Sequence, residues 1–286
     1  MLYLVGDKVT NVTVINHIYK CDYFWCYLEL CVYYVTYAGD CRQANALSHL
    51  ALHRLNIVCE EAIHMSKQKG NVEGRNAAVI TGDIVKSQSL SDEDFSRIIQ
   101  ALKAQLTTYA RLYDGHFDVF RGDAFQFVTS HSQNVMRIAL SIRLALKAMT
   151  PSSDIRVSCA VGEVTFRPSE VKTGTGQAFV LSGRGLDELK GQYVSFQSEY
   201  GALARHTSLL TRFADSHLAG LTQTQSETVL AYLVSEDKNH DAVATSLGKT
   251  RSNVTRILNA SNYRLIAEYL AFMEQEISTV LSGTTI

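Results

Sequence analysis

Two aspartates of the chain each follow a glycine, and each lies beside a short apolar run: Asp83 ends the first run, and Asp123 lies between two others. Carboxylate oxygens are the ligands that Mg²⁺ prefers, and this ion needs few of them when phosphate and water complete its coordination. With the backbone carbonyl of Ile84, the two side chains form a candidate metal site. A divalent metal held there would activate a hydroxyl group and stabilise a leaving phosphate.

A simpler interpretation of both aspartates is also open. Gly-Asp is a common turn dipeptide, because glycine permits a positive φ and aspartate caps its own backbone. Taken singly, each aspartate is better explained as part of a turn. Only a pair at the ends of neighbouring strands favours a metal site.

The segments around the aspartates alternate between strand and helix patterns. Apolar and β-branched runs predict strands over residues 77–81, 117–120, 124–128 and 155–161. Amphipathic helices are predicted between them, over residues 91–113 and 135–149. The order β-α-β-β-α-β predicts an α+β, ferredoxin-like fold, with two helices on one face of an antiparallel sheet. The strands beside Asp83 and Asp123 are then neighbours, so both carboxylates reach one point.

The chain continues with a glycine-punctuated segment over residues 174–191, a strand over 193–196 and a helix over 199–218. Its fragment Gly174-Thr-Gly-Gln lacks the remaining residues of a phosphate-binding loop. We therefore expect a domain over residues 71–198 and a helical linker over 199–220.

Residues 221–286 have little strand potential and are expected to form a small all-α helix-turn-helix module. One predicted helix ends at Gly248, and the next begins at Thr250. The second helix turns apolar residues inward and presents a polar set outward, which with the turn comprises Lys249, Arg251, Ser252, Asn253, Arg256 and Asn259. Such a set can contact phosphates and base edges of DNA. A helical protein-interaction module is the alternative.

Two further features bear on this module. Lys238 and His240 are expected to add local positive charge. A closing helix over residues 264–277 carries Leu265, Ile266, Tyr269 and Phe272, and we expect this helix to cover the module or to pair with a second copy in a homodimer.

The aspartate segments resemble those of a known family. Ile80-Thr-Gly-Asp-Ile and Phe120-Arg-Gly-Asp-Ala look like the two metal-binding segments of class III nucleotidyl cyclases, and Ile155-Arg-Val-Ser-Cys-Ala looks like their following strand. Residues 77–275 as a whole resemble the SatD family, a bacterial group. The resemblance implies Mg²⁺ or Mn²⁺, a nucleoside triphosphate or related nucleotide, and nucleotide contacts at Gly82 and Gly122.

The match to the cyclase pattern is uneven. Gly176 and Arg184 fit its spacing, so Gly176 is expected at the nucleotide, and Arg184 is a candidate catalytic residue that neutralises phosphate. Thr173 stands where the cyclase pattern has a base-reading aspartate, so it is a candidate nucleotide-binding residue. Val180 replaces the transition-state asparagine, and Val119 replaces a base-reading lysine. Because valine forms no side-chain hydrogen bonds, the metal half of the pattern matches better than the base half.

Residues 1–70 lack a steady hydrophobic period and are expected to add little to folding. Met65 is a plausible true start of the protein. Five of the six cysteines lie there without metal-site spacing, and we interpret them as reduced thiols. The stretch Tyr23–Ala38 is short and contains Glu29, which disfavours a membrane span. No secretion signal is recognised, so a cytoplasmic location is expected.

A net charge of -1 gives the whole protein no general attraction to nucleic acid, so any contact with DNA needs a local basic face. Three functions remain open. The first is a DNA-binding regulator whose cyclase-like domain binds a nucleotide and a divalent metal. The second is an active nucleotidyl cyclase, and the third is a structural interaction protein.

Overall fold

The structure is a computed structural model that describes residues 72–283. The predictions made for residues 1–70, including those for the five cysteines and for Tyr23–Ala38, lie outside the described residues. No helix among residues 72–283 is long and apolar enough to cross a membrane.

Six strands and eight α-helices make up the described part of the chain. The strands are β1 (Val72–Ile84), β2 (Gly115–Phe120), β3 (Ala124–Thr129), β4 (Ile155–Arg167), β5 (Glu170–Thr175) and β6 (Val194–Ser198). The helices are α1 (Asp92–Leu112), α2 (Val135–Lys147), α3 (Gln177–Asp187), α4 (Gly201–Ala219), α5 (Gln223–Val234), α6 (His240–Leu247), α7 (Arg251–Ala260) and α8 (Tyr263–Leu281).

The sheet confirms the predicted α+β, ferredoxin-like fold. Its strand order is β2-β3-β1-β4-β5, and β6 pairs in parallel with β4. The first four strands pair antiparallel, and the chain order β1-α1-β2-β3-α2-β4 is the predicted one. Strands β1 and β4 extend beyond their predicted ends, because backbone pairing continues past the apolar residues that mark each strand centre.

Both faces of the sheet are covered. On one face, alternate residues of β1, such as Ala78 and Ile80, join a core with α1, α2 and the C-terminal helices. On the other face, Ala77 and Val79 pack in a smaller core with Phe179 of α3. Burial on both faces explains why the centre of β1 is a continuous apolar run without alternation.

Helix α3 and strand β5 are the elements that the sequence did not indicate, and both lie in or beside the glycine-punctuated segment. The glycines there reflect close packing. A Cβ on Gly185 would lie 2.3 Å from the hydroxyl of Ser158, and one on Gly176 would lie 2.4 Å from the carbonyl of Glu163. Small residues let α3 approach β4 closely. The glycines that suggested a loop therefore lie where this helix contacts the sheet.

The caps at the start of α5, the end of α6 and the start of α7 are the predicted residues, whereas α8 extends to Leu281, beyond the predicted end at residue 277. Thr222 and Gln225 form a reciprocal capping box at the start of α5. Helix α6 ends at Gly248, whose φ of 61° is left-handed, and the hydroxyl of Thr250 caps α7 by accepting from Asn253 N at 3.3 Å. The predicted inward side of α7 is buried, as Val254 and Leu258 show.

The closing helix α8 differs from prediction in how its apolar side is used. Ile266 is buried within the chain itself, and the hydroxyl of Tyr269 shares a 2.9 Å hydrogen bond with Thr211 of α4. Burial raises the pKa of Tyr269. Leu265 alone among the four predicted dimer residues is strongly exposed, so the prediction that these four together form a pairing face is wrong.

A buried arginine joins the two halves of the described chain. The guanidinium of Arg143 in α2 donates from Nε and Nη2 to the carboxylate of Asp154, at 2.8 and 3.1 Å, and from Nη1 to Asp215 of α4 at 2.5 Å. Only 1% of the Arg143 side chain is exposed. The second oxygen of Asp215 accepts from Tyr193 N, and Lys147 lies 3.5 Å from Asp154. Each buried charge therefore has an opposite partner.

We predict that Arg143→Met lowers the free energy of unfolding by about 3–5 kcal/mol, because two carboxylates would lose their partner away from water. Urea unfolding followed by circular dichroism measures this change. Arg97→Met is the matched control: Arg97 also pairs with an aspartate, Asp94, but on the surface, so its loss should leave stability almost unchanged. Equal, small effects of the two substitutions would contradict a structural role for the buried arginine.

Candidate functional site

The two predicted metal aspartates lie at one end of the sheet. Strand β1 is paired on both sides, so Asp83 stands opposite Ala124 in β3 and opposite Arg156 in β4. The backbone N–H of Ile84 donates to the carbonyl of Asp123 at 3.3 Å. This bond ties the end of β1 to the β2–β3 turn, so the predicted convergence of the two aspartate segments is present.

The turn between β2 and β3 is held in a constrained conformation. Arg121 and Gly122 have φ values of 52° and 86°, both left-handed. The side chain of Asp123 accepts a 2.5 Å hydrogen bond from the hydroxyl of Ser87. Glycine at position 122 is explained by the turn itself, and its contact with a nucleotide stays a prediction.

Arg156 contacts a predicted site residue, although the sequence did not point to it. Its Nε and Nη2 donate to the two carboxylate oxygens of Asp83, at 2.9 and 2.5 Å, in a two-pronged pairing. This hydrogen bonding to Asp83 raises the pKa of Arg156, and the nearby charges of Asp187 and Asp123 raise it further. One cation therefore lies among three carboxylates; we name Asp83, Asp123, Arg156 and Asp187 the acidic cluster.

The donor set of the acidic cluster fits a metal bound together with phosphate better than it fits a free ion. Within residues 72–283 no three metal-ligating side chains come together as an ion site. Asp83 and Asp123 supply two carboxylates, which suffice for Mg²⁺ when phosphate oxygens and water complete the shell. The Asp83 carboxylate is already neutralised by Arg156, so a cation must compete for it.

The other predicted nucleotide residues are dispersed. Gly82 lies beside Asp83, but a Cβ there would approach the carbonyl of Arg156 to 2.7 Å, so close packing explains the glycine. Thr173 is exposed on β5 and donates to the carbonyl of Glu170. Strand β5 also approaches β2, because the backbone N–H of Lys172 donates to the carboxylate of Asp118 at 2.9 Å. In the described part of the chain, no hydrogen bond joins Thr173 to Asp83 or Asp123.

Arg184 and Gly176 lie at different ends of α3. Gly176 precedes the helix beside Glu163, remote from Asp83 along β4. Arg184 is exposed one turn before Asp187, and no hydrogen bond or ion pair joins it to Asp83 or Asp123 in the described part of the chain. Arg184 is thus at the same end of α3 as the acidic cluster but not in contact with it.

Several cations predicted to face DNA are engaged within the protein. Lys249 pairs with Glu227, and Arg251 lies 3.5 Å from Asp241. Lys238 donates to the carbonyls at the end of α5, and burial lowers its pKa. His240 bonds through one ring nitrogen to Thr255 and through the other to the Tyr263 hydroxyl. The local positive charge expected from Lys238, His240 and Lys249 stays a prediction, and each of the three side chains has a partner within the protein.

Arg256, Ser252 and Asn259 do project from α7, and Arg256 bonds to Asn253 at 3.0 Å. The charge around them is unfavourable for DNA, however. Residues 221–286 contain five lysines and arginines against seven aspartates and glutamates. A basic face in this module is therefore confined to the exposed side of α7.

Solved structures similar to this chain are nucleotidyl cyclase domains. They include the catalytic core of a rhodopsin-guanylyl cyclase with converted specificity in complex with ATPalphaS, at 20% identity, TM-score 0.37, and coverage of 44% of this chain and 79% of that one. A bacterial light-regulated adenylyl cyclase matches at 17% identity and TM-score 0.35, covering 44% of this chain and 76% of that one. The guanylate cyclase domain of RhGC from Catenaria anguillulae in complex with GTP matches at 17% identity and TM-score 0.36. This match covers 44% of this chain and 79% of that one.

No protein-family model matches the chain, and the search of curated proteins found no match. Identities of 20% or less, with TM-scores of 0.34 to 0.37, are too low to transfer an activity. The function is therefore argued from the acidic cluster and the C-terminal helices alone.

We predict that Gly82→Ala lowers the free energy of unfolding by about 1–3 kcal/mol, because its Cβ would press on the Arg156 carbonyl and on the Phe125 ring. Gly183→Ala is the control: nothing lies within 4 Å of a Cβ there, and the residue is inside α3. That substitution should stabilise the protein by about 0.5–1 kcal/mol. Chemical denaturation of both variants measures the two effects, and the same sign for both would contradict the packing of Gly82.

Proposed function

We propose that the α/β part of this protein binds the phosphates of a nucleotide together with a divalent cation at the acidic cluster, and that the C-terminal helices carry the response. The observation that supports this most is the two-pronged pairing of Arg156 with Asp83 beside Asp123. Asp83 and Asp123, with the carbonyl of Ile84, would hold Mg²⁺ or Mn²⁺. The cation would screen the phosphate charge from the carboxylates.

The exposure of Arg156 supports ligand exchange at this site. The Arg156 side chain is 42% exposed, whereas Asp83 is 21% exposed. An ion pair open to water contributes at most about 1 kcal/mol, so it can be broken at little cost. When a cation binds Asp83, the planar guanidinium of Arg156 would be released to bind a phosphate oxygen pair.

Binding without turnover is the better-supported form of this proposal. Val180, at the transition-state asparagine position, is exposed and forms no polar contact by its nature. The hydroxyl of Thr173 donates to the carbonyl of Glu170, and no hydrogen bond joins Thr173 to the acidic cluster within residues 72–283. The alternative, an active nucleotidyl cyclase, predicts cyclic product when the protein is incubated with each nucleoside triphosphate and Mn²⁺ or Mg²⁺.

We predict that Asp83→Asn and Asp123→Asn each weaken binding of an Mn²⁺–nucleoside triphosphate complex by at least about tenfold, because each removes a charged oxygen ligand. Titration calorimetry measures the dissociation constants, with melting temperatures as a check on folding. Asp92→Asn, at an exposed position in the first turn of α1, is the matched control and should bind like the wild type. Unchanged affinity in both cluster variants would leave the turn-capping interpretation of the aspartates.

DNA binding is a second candidate for the response carried by the C-terminal helices. The observation in its favour is the pair α6 and α7, joined by Gly248, Lys249 and Thr250, with α7 exposing Arg251, Ser252 and Arg256. The acidic balance of residues 221–286 means that one copy would bind weakly. Two copies on a two-fold-related DNA site would then be required.

We predict that Arg251→Ala and Arg256→Ala each weaken binding to the DNA upstream of the protein's own gene, because each removes a cation next to phosphates. Gel-shift titration over a range of salt, with and without triphosphate, measures this effect. Lys172→Ala, an exposed cation on β5, is the control and should not change binding. Absence of salt-sensitive DNA binding in every condition would remove the regulator from consideration and favour the cyclase alternative.

A further inference from the structure

An apolar ridge is exposed on α4. Leu209, Leu210 and Phe213 are 57%, 42% and 67% exposed, although α4 has a complete buried side formed by Leu203, Thr207, Thr211, Asp215 and Leu218. These three residues, named the α4 ridge, lie within a single turn of helix. Clustered large apolar side chains in water mark interaction surfaces, whereas scattered ones do not.

Helix α8 lies along one flank of the α4 ridge. Thr211 bonds to Tyr269, and His217 bonds to the carbonyl of Ser261, so the two helices run antiparallel. This register places Leu265, which is 60% exposed, level with Phe213. The exposed apolar surface therefore extends from α4 onto α8.

Charge is distributed unequally across the ridge. At about 3.6 residues per turn, His206, Leu210 and His217 lie toward α8, and Arg205 and Arg212 lie on the opposite flank. Both arginines are exposed, and the only acid of α4, Asp215, is buried against Arg143. On the α8 flank, Glu268 is exposed one turn after the exposed Arg264, and Glu276 lies 4.0 Å from His206, so two carboxylates outnumber one arginine there.

A surface with cations on one flank of an apolar ridge and carboxylates on the other is complementary to itself. A two-fold axis along the ridge places the arginine flank of each copy against the carboxylate flank of the other. It also buries the α4 ridge of one copy against that of its partner. We propose that the occupant of this surface is a second copy of the chain, which forms a homodimer through α4 and α8. The proposal does not rest on nucleotide or DNA binding.

Sedimentation equilibrium of the full chain over a concentration series tests the homodimer. We expect the wild type to dimerise, and the double variant Leu209→Glu with Phe213→Glu to have a dissociation constant raised by at least about 100-fold. Leu112→Glu is the matched control, because this leucine of α1 is similarly exposed, at 64%, and away from the ridge. It should dimerise like the wild type, and all variants should keep the wild-type melting temperature.

A charge exchange tests the pairing of the flanks. Arg212→Glu and Glu268→Arg should each weaken the dimer by about tenfold, and the combined variant should recover most of the loss. A monomeric wild type at every concentration, or dimerisation unaffected by the ridge substitutions, would overturn the homodimer. So would a monomer that binds phosphatidylserine vesicles through the ridge, because a membrane surface would then be the occupant.

Discussion

Arg143 holds together four parts of the chain that are distant in sequence. Its guanidinium binds Asp154, which precedes β4, and Asp215 in α4, and the carboxylate of Asp215 in turn accepts from the backbone of Tyr193 ahead of β6. The guanidinium also lies over the ring of Tyr193, 4.6 Å from its centroid. Because the side chains of Arg143 and Asp215 are only 1% and 5% exposed, neither can be moved without leaving a charge unpaired away from water. The positions of β4, β6, α2 and α4 are therefore interdependent.

The acidic cluster depends on this arrangement. Asp154 binds Arg143 through its side chain and accepts Val85 N through its carbonyl, at 2.9 Å. These bonds fix the start of β4 against the end of β1. Arg156 follows two residues later, and the resulting register brings it opposite Asp83. A site that contains only a few surface side chains thus takes its geometry from a buried ion pair beneath it.

The sequence predicted the central α+β unit well, because the features that specify it are local. The amphipathic period of α1, the turn at Arg121 and Gly122, and the stop after α2 are each visible in a short window. The aspartate pair could be found because the strand order follows from the element order. The C-terminal helices were likewise marked by their caps, such as Thr222 and Gly248.

What the sequence did not predict depends on contacts between distant residues. In the sequence Arg156 is an ordinary cation within a strand. Only the pairing of β4 with β1 shows that it lies opposite Asp83. Helix α3 was missed because Gly183 and Gly185 lower helix propensity, while the packing that requires Gly185 is visible only against β4. The closing helix was expected either to cover the module or to pair with a second copy, and only the structure shows that Ile266 belongs to the chain's own core.

Arg143 and Arg156 both pair with aspartates, but their exposure to water differs, and so does the contribution of each pair to stability. Arg143 has an exposed fraction of 1%, and its removal leaves the carboxylate of Asp215, which is 5% exposed, without an ionic partner. Arg156 is 42% exposed, so water can replace Asp83 as its partner, and the pair adds little to folding. The charges of Asp187 and Asp123 also raise the pKa of Arg156, so the positive charge of this arginine offsets more than one carboxylate. Under the proposed function, a divalent cation at Asp83 and Asp123 would take over this role when Arg156 is released.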